Sequence, residues 1–131
     1  APRRKWDQLL VAQGADLDAF HAKLQQDHTA PVVLECVSGE DGFIHQCDAR
    51  IIGEIVRDLG GGRMTKTSVI QPDVGVDALA KPGEEVRRGA VLGRIHAVTM
   101  EQAETAGARL KTAFAFAPRP LPARPLIVDE L

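Results

Sequence analysis

The amino-acid sequence predicts an α+β fold, with a compact sheet, helices to its side and helical segments at both ends. Apolar residues recur at helical spacing over the first thirty residues, and short β-branched runs bounded by glycine turns fill the middle. A second helical pattern begins near residue 99. A chain of 131 residues with 44% apolar residues fits one domain with a real core. Aromatic residues are scarce, so the core must be mainly Val, Leu, Ile and Ala.

The N-terminal part predicts two short helices. Residues 3–13 place Trp6 and Leu10 at helical spacing, and Gly14 follows as a natural helix end. Asp16 is a suitable N-cap for a second helix over 17–27. Pro31 then ends helical structure.

A strand, a turn and a second strand are predicted next. Residues 32–37 and 43–47 are the strands, and the turn spans 38–42. If the strands pair as a hairpin, the thiols of Cys36 and Cys47 face different partners and miss each other. We therefore expect two free, buried cysteines in a reducing compartment, without a disulfide.

A helix is predicted over residues 48–59, with Asp48 as its cap and Gly60-Gly61-Gly62 as its end. Its apolar positions recur at i, i+1, i+4, i+5 and i+8 and form one face: Ile51, Ile52, Ile55, Val56 and Leu59.

The following segment predicts short strands and then a helix. Residues 74–76, Val86 and residues 91–97 are the β segments, and Pro82-Gly83 has the sequence of a type II turn. Thr99 and Gln102 form a capping box that opens a helix to about Phe116. Its predicted buried side is Ala103, Ala106, Leu110, Ala113 and Phe114. Four prolines between 118 and 125 then impose an extended tail, residues 118–131.

Charge and hydropathy exclude two classes of partner. The net charge of -2 provides no basic field for nucleic acid, and the short run Arg3-Arg4-Lys5 is typical of a solvated face. No apolar stretch reaches the length of about 18 residues that a membrane span needs. The sequence begins without the apolar segment of a signal peptide, so we expect a cytoplasmic location.

Motifs of catalysis and metal binding are missing from the sequence. The run 60–67 lacks the spacing of a phosphate loop, and its glycines follow a helix instead of preceding one. Asp41 and Asp48 are better explained as a turn residue and a helix cap. None of the histidines has metal-ligand spacing with the cysteines: His21, His28, His45 and His96. We therefore assign no catalytic, substrate-binding, cofactor-binding or metal-ligating residue.

One pattern is typical of biotinyl and lipoyl carrier domains. Gly83, Val86, Gly89, Leu92 and Ile95 follow at the spacing of the carrier hairpin. Carriers attach their cofactor to a lysine in the turn that comes next, where this sequence has Thr99. A hydroxyl cannot form that amide bond, so the carrier fold is compatible with the sequence while carrier chemistry is not. A free-standing carrier-like or binding module is the alternative function.

Taken together, the motifs resemble the C-terminal domain of the thymidine and pyrimidine nucleoside phosphorylase family. The resemblance covers about residues 5–116 and rests on five motifs in the family's order: Ala12–Asp16, with Ala15 replacing a glycine, Asp41–Ile44, Asp48–Gly53, Leu59–Arg63, and Val74–Val76 with the run 83–97.

The resemblance implies an α/β-hammerhead around a barrel-sandwich core of the carrier type, with flanking helices. Residues 1–30 would be the end of the upstream α/β domain, and residues 31–117 the C-terminal domain. The whole enzyme would cleave pyrimidine nucleosides with phosphate as co-substrate and without a cofactor. Its partners would be the upstream α and α/β domains, within a homodimer. The phosphate- and pyrimidine-binding motifs of the family lie in those upstream domains, and nothing in this sequence matches them.

Overall fold

The computed structural model describes residues 2–25 and 29–120. The predicted α+β class is confirmed. Along these residues the elements are α1 (Pro2–Ala12), α2 (Leu17–Leu24), β1 (Val32–Val37), β2 (Gly42–Cys47), α3 (Ala49–Val56), β3 (Gly75–Asp77), β4 (Glu85–Val86), β5 (Val91–Ala97), α4 (Met100–Lys111) and β6 (Phe114–Ala117).

Helices α1 and α2 form the N-terminal pair and contact each other. The predicted cap is confirmed, because a carboxylate oxygen of Asp16 accepts hydrogen bonds from the amides of Asp18 and Ala19 at 2.9 and 3.0 Å. No residue of either helix is buried. The predicted second helix is seen to Leu24, and its residues 26 and 27 lie outside the described part of the chain.

The strands form two antiparallel three-stranded sheets, in the orders β1-β5-β3 and β4-β2-β6. A hairpin of β1 with β2 is therefore wrong, because the two strands belong to different sheets. The turn between them instead crosses from one sheet to the other. Its Ser38 amide donates to Ala90 O at 2.8 Å, and the Asp41 carboxylate accepts from the Arg88 amide at 2.7 Å. These bonds hold the crossing against the turn between β4 and β5.

Helix α3 begins at the predicted cap, but its α-helical part ends at Val56, before the predicted residue 59. Asp48 accepts from the amides of Arg50 and Ile51, and a single π-helical turn, Arg57–Gly61, extends the helix. Gly60 has a φ of 101°, a left-handed conformation that suits glycine and lets the chain leave the helix there.

The core lies between α4, α3 and the two sheets. Helix α4 packs on β1 and β5 through a buried face of Ala103, Ala106, Gly107 and Leu110. Its capping box is confirmed, since the Thr99 hydroxyl accepts from the Gln102 amide and the Gln102 side chain accepts from the Thr99 amide. The fully buried large side chains of the core are Ile44, Ile55, Leu92, Ile95 and Leu110.

The predicted extension of the last helix to Phe116 is wrong. Helix α4 ends at Lys111, and Phe114–Ala117 forms β6, which pairs with β2. Ala113 and Phe114 are buried as predicted, but not as part of the helix. Beside β2, the alternating sequence Phe-Ala-Phe-Ala gains ladder hydrogen bonds that an exposed helix end cannot provide. Residues 121–131 of the predicted tail lie outside the described residues.

Two glycine substitutions test the packing of α4 on β5. A Cβ at Gly93 would lie 3.1 Å from a Leu79 methyl and 3.2 Å from a Leu110 methyl, so we expect Gly93→Ala to lower the free energy of unfolding by about 1–3 kcal/mol. Gly53 is an exposed helical position, and no atom lies within 4 Å of a Cβ added there. We therefore expect Gly53→Ala to raise the free energy of unfolding by about 0.5–1 kcal/mol. Urea unfolding of both variants measures the difference. Equal stabilities would contradict the close packing at Gly93.

Candidate functional site

A groove of about 390 Å³ lies between α3 and α4 and is the best-formed concave surface we find in the described residues. Apolar side chains form its floor, and hydroxyl, amide and charged groups form its walls. The lining residues are Ile55, Asp58, Leu59, Thr99, Glu101, Gln102, Thr105, Ala106 and Arg109. Binding pockets are generally lined by apolar side chains with a few polar groups, so this groove is the candidate site.

Arg109 on α4 bridges two carboxylates of the α3 side of the groove. Its guanidinium binds Glu54, and its Nη1 lies 2.7 Å from Asp58 Oδ2. Asp58 also binds Arg57 at 2.8 Å, and Glu54 binds Arg50 at 3.2 Å. The hydrogen bond from Arg57, supported by the one from Arg109, holds the pKa of Asp58 below its ordinary value. The network ties α3 to α4 and leaves Arg109 with its charge already balanced.

Glu101 is the charged residue of the groove that remains without an ion pair among the described residues. The Thr99 and Gln102 side chains are engaged in the capping box. A fully charged phosphate needs several cations and donors converging on it. Because its arginine is neutralised and its free charge is negative, the groove is not suited to phosphate.

A second charged cluster lies on the outer face of the sheet β1-β5-β3. Arg94 donates two hydrogen bonds to Asp77, at 2.9 and 2.7 Å, and His96 Nε2 lies 3.1 Å from Asp77 Oδ1. Glu35 stands opposite Arg94 on the other neighbouring strand. The hydrogen bonds from Arg94, and secondly from His96, lower the pKa of Asp77 to about 2. The cluster links three strands at the surface, where it is solvated.

The three described histidines are scattered in the structure, as they are in the sequence. His21 Nε2 lies 4.0 Å from Asp7, His96 belongs to the sheet-face cluster, and His45 is exposed. His28 lies outside the described residues. Over residues 2–25 and 29–120, no group of three or more His, Cys, Asp or Glu side chains is arranged to hold a metal ion.

Both cysteines are free, as predicted, although the hairpin from which we predicted it is wrong. Cys36 is buried and its thiol points to Gly107 O at 3.6 Å, whereas Cys47 is half-buried. Burial raises the pKa of both thiols, and Asp48 raises that of Cys47 further. Raised pKa values disfavour the thiolate, which is the nucleophilic form.

The remaining sequence candidates have structural roles in the described part of the chain. Asp48 caps α3, and Asp41 links two turns. The glycines 60–62 follow a helix, as expected for a helix end. Thr99 caps α4, so a helix starts where a carrier domain has its cofactor turn. Carrier chemistry is therefore not favoured.

Sequence reasoning missed the Arg109 network and the groove beside it. The available signal was the spacing of Glu54 and Asp58, which at i and i+4 present two carboxylates on one face of α3 and the helical turn that extends it. What the sequence could not provide was the position of α4 opposite that face.

In the described residues, no helix is both long and apolar enough to cross a membrane.

Comparisons with known proteins point to one family. A family model described as the pyrimidine nucleoside phosphorylase C-terminal domain matches residues 43–117. A thymidine phosphorylase of Rhizobium meliloti (strain 1021) is 34% identical over 102 residues, which cover 78% of this chain and 23% of that protein. A thymidine phosphorylase of Agrobacterium fabrum is 33% identical over 67% of this chain and 20% of that protein. A thymidine phosphorylase of Colwellia psychrerythraea is 33% identical over 78% of this chain and 23% of that protein. The chain thus spans about a fifth of the length of these curated relatives.

The Asp77 cluster predicts a pH dependence of stability. A carboxyl whose pKa is lowered on folding stabilises the fold above its unfolded pKa, and this contribution is lost as the pH falls from about 4 to about 2. We therefore expect Asp77→Asn to lower the free energy of unfolding at pH 6. Because the pair is exposed, the decrease should be about 1 kcal/mol or less, and it should be smaller near pH 2. Urea unfolding at both pH values measures this, with Glu40→Gln at an exposed turn as control. An Asp77 carboxyl that titrates near 4 by NMR would contradict it.

Proposed function

This chain belongs to the pyrimidine nucleoside phosphorylase C-terminal domain family, and we propose that the longer protein to which it contributes is a thymidine phosphorylase. The match to residues 43–117 is the observation that carries the proposal. The relatives share only about a fifth of their length with this chain, which leaves most of such an enzyme to other domains.

The activity proposed for the whole enzyme is reversible phosphorolysis. Phosphate attacks C1′ of thymidine or a related pyrimidine nucleoside, the glycosidic bond breaks, and the products are the free base and the (deoxy)ribose 1-phosphate. Phosphate is a co-substrate, and the proposed enzyme uses no cofactor. The proposal includes the family's homodimer and a cytoplasmic location.

The contribution of this chain to that activity is proposed to be structural. The described arginines of the groove and of the sheet face are paired with carboxylates: Arg50, Arg57 and Arg109 with Glu54 and Asp58, and Arg94 with Asp77. Cations already paired in this way do not converge on a dianion. We therefore place the phosphate and pyrimidine sites in the upstream domains, and assign no catalytic residue to this chain. Its proposed role is to pack on the large α/β domain and support the closing of the cleft.

The finer architecture is proposed to be the α/β-hammerhead with a carrier-like barrel-sandwich core. Two three-stranded antiparallel sheets and the turns at Gly83 and Gly89, where φ is 92° and 87°, support it. Under this proposal residues 31–117 form the domain, residues 1–30 end the upstream domain, and 118–131 form the tail.

The first test separates this chain from the whole enzyme. We expect the purified chain to release no thymine from thymidine and phosphate, because it lacks converging phosphate and pyrimidine ligands. The protein from the complete reading frame should release thymine under the same conditions. Chromatography of the free base measures both. Activity in the isolated chain that persists through purification would contradict the assignment of chemistry to upstream domains, and inactivity of the complete protein would contradict the proposed function itself.

The second test concerns the boundary near residue 30. Helices α1 and α2 bury none of their residues, whereas the core strands and α3 do. At concentrations where the chain is monomeric, we expect fast amide exchange in residues 1–30 and slow exchange in 43–59 and 86–97. Exchange mass spectrometry with peptide resolution measures this. Equal protection of residues 1–30 and the sheets would mean that the helices belong to this domain and that the boundary is misplaced.

A further inference from the structure

Another pocket lies at the end of the sheet β4-β2-β6 where the chain leaves β6. Its volume is about 510 Å³, and Pro118 forms one of its sides. Phe43 and Val86 are its apolar residues, of which Val86 is buried and Phe43 is half-buried. The volume falls within the range of about 300–1,000 Å³ that is typical of binding clefts. The pocket is therefore large enough to accept a segment of chain.

Strand β6 leads the chain directly to this pocket. Ala117 pairs with Phe43, and a Cβ at Gly42 would lie only 3.1 Å from Ala117 O, so the end of β6 is held close to the start of β2. The backbone then bends at Pro118 and Arg119. The part of the chain outside the described residues begins at residue 121, three residues after the side of the pocket.

The sequence of this part favours the polyproline II conformation. Four prolines fall between residues 118 and 125. Proline fixes its own φ near the polyproline II value and keeps the preceding residue extended. This conformation has three residues per turn and a rise of about 3.1 Å per residue, so Pro118, Leu121 and Arg124 share one side at intervals of about 9 Å. Neighbouring strands lie about 4.7–4.9 Å apart, which places β4 about 9–10 Å from β6. One turn therefore carries the chain from β6 across β2 to β4.

We propose that residues 119–124 cross this end of the sheet in the polyproline II conformation and cover the pocket. In this strap, residues 119–124, the side chain of Leu121 lies on Phe43 and Val86. Proline-rich segments that dock on aromatic side chains are a recurring mode of recognition, because the polyproline II conformation is largely formed before it binds. The strap is part of this chain, so the inference does not depend on the proposed phosphorylase activity.

The charges at the β4 side of the pocket favour the same occupant. Glu85 and Arg87 are exposed there, and neither has an ion pair with a described residue. Arg124 follows Leu121 by one polyproline II turn on the same side, so it comes beside Glu85 when Leu121 occupies the pocket. An exposed ion pair contributes little, and Arg87 opposes it, so the apolar contact of Leu121 is the larger contribution.

Nuclear Overhauser effects in the intact chain test the position of Leu121. We expect contacts between the Leu121 methyl protons and the Phe43 ring protons, at the same intensity in dilute samples because the strap is intramolecular. The ring should also displace the Leu121 methyl signals from their random-coil positions. Random-coil signals without contacts to Phe43 would overturn the proposal. Contacts that arise only between molecules, in a sample that mixes labelled and unlabelled chains, would overturn it as well.

Two matched substitutions in the tail test the energy of the contact. We expect Leu121→Ala to raise the equilibrium constant of unfolding about fivefold, because a side chain is removed from an apolar pocket. Leu126→Ala is the same change two residues after the strap, and it should leave the constant within about 1.5-fold. Urea unfolding measures both variants. Equal effects of the two substitutions would contradict the docking of Leu121.

Charge reversal tests the direction of the crossing. We expect Glu85→Arg to shift the Leu121 methyl signals toward their random-coil positions, and the further change Arg124→Glu to restore them. Glu104→Arg, an exposed reversal on α4 outside the pocket, should leave these signals unchanged. No recovery in the double variant, or an equal effect of the Glu104 variant, would exclude a crossing toward β4.

Discussion

The close approach of α4 to β5 is the constraint on which the rest of the structure depends. Both elements carry glycine at the contact: a Cβ at Gly93 would lie 3.2 Å from Leu110, and one at Gly107 would lie 3.5 Å from Ile95 and Leu34. Because these glycines have no side chains, the helix packs close to the sheet, and Ile95 and Leu110 are completely buried. Since β5 is also the central strand of its sheet, the position of α4 is fixed relative to β1 and β3 at once.

That position places α4 beside α3 and creates the groove. Arg109, one turn beyond the buried Ala106, reaches Glu54 on α3 and Asp58 in the helical turn that follows it. Ion pairs at a partly exposed surface such as these contribute little stability alone, so we infer that packing determines the arrangement. The groove is thus a consequence of core packing, and the core residues Ile55, Leu59 and Ala106 form its apolar floor.

Local patterns in the sequence identified most elements, because caps and turns act over a few residues. Asp16, Asp48 and Thr99 cap helices as predicted, and the Pro82-Gly83 turn has Gly83 at positive φ. The errors arose where the partner is distant in sequence. β1 pairs with β5 and not with the adjacent β2, and Phe114–Ala117 becomes a strand because β2 offers it an edge. The groove could not be predicted for the same reason. Its two walls lie on α3 and α4, which are distant in sequence and become neighbours only in the fold. The family, in contrast, was predictable from ordered glycine motifs, and the match to residues 43–117 confirms it.

The distribution of charge in the described residues explains why the groove is not suited to an anionic ligand. An arginine held between two carboxylates, as Arg109 is, presents almost no net field to an approaching phosphate. Glu101 departs from this pattern in the groove, and the Arg3-Arg4-Lys5 run departs from it on α1. Both departures are exposed side chains, and solvent screens an exposed charge that has no partner.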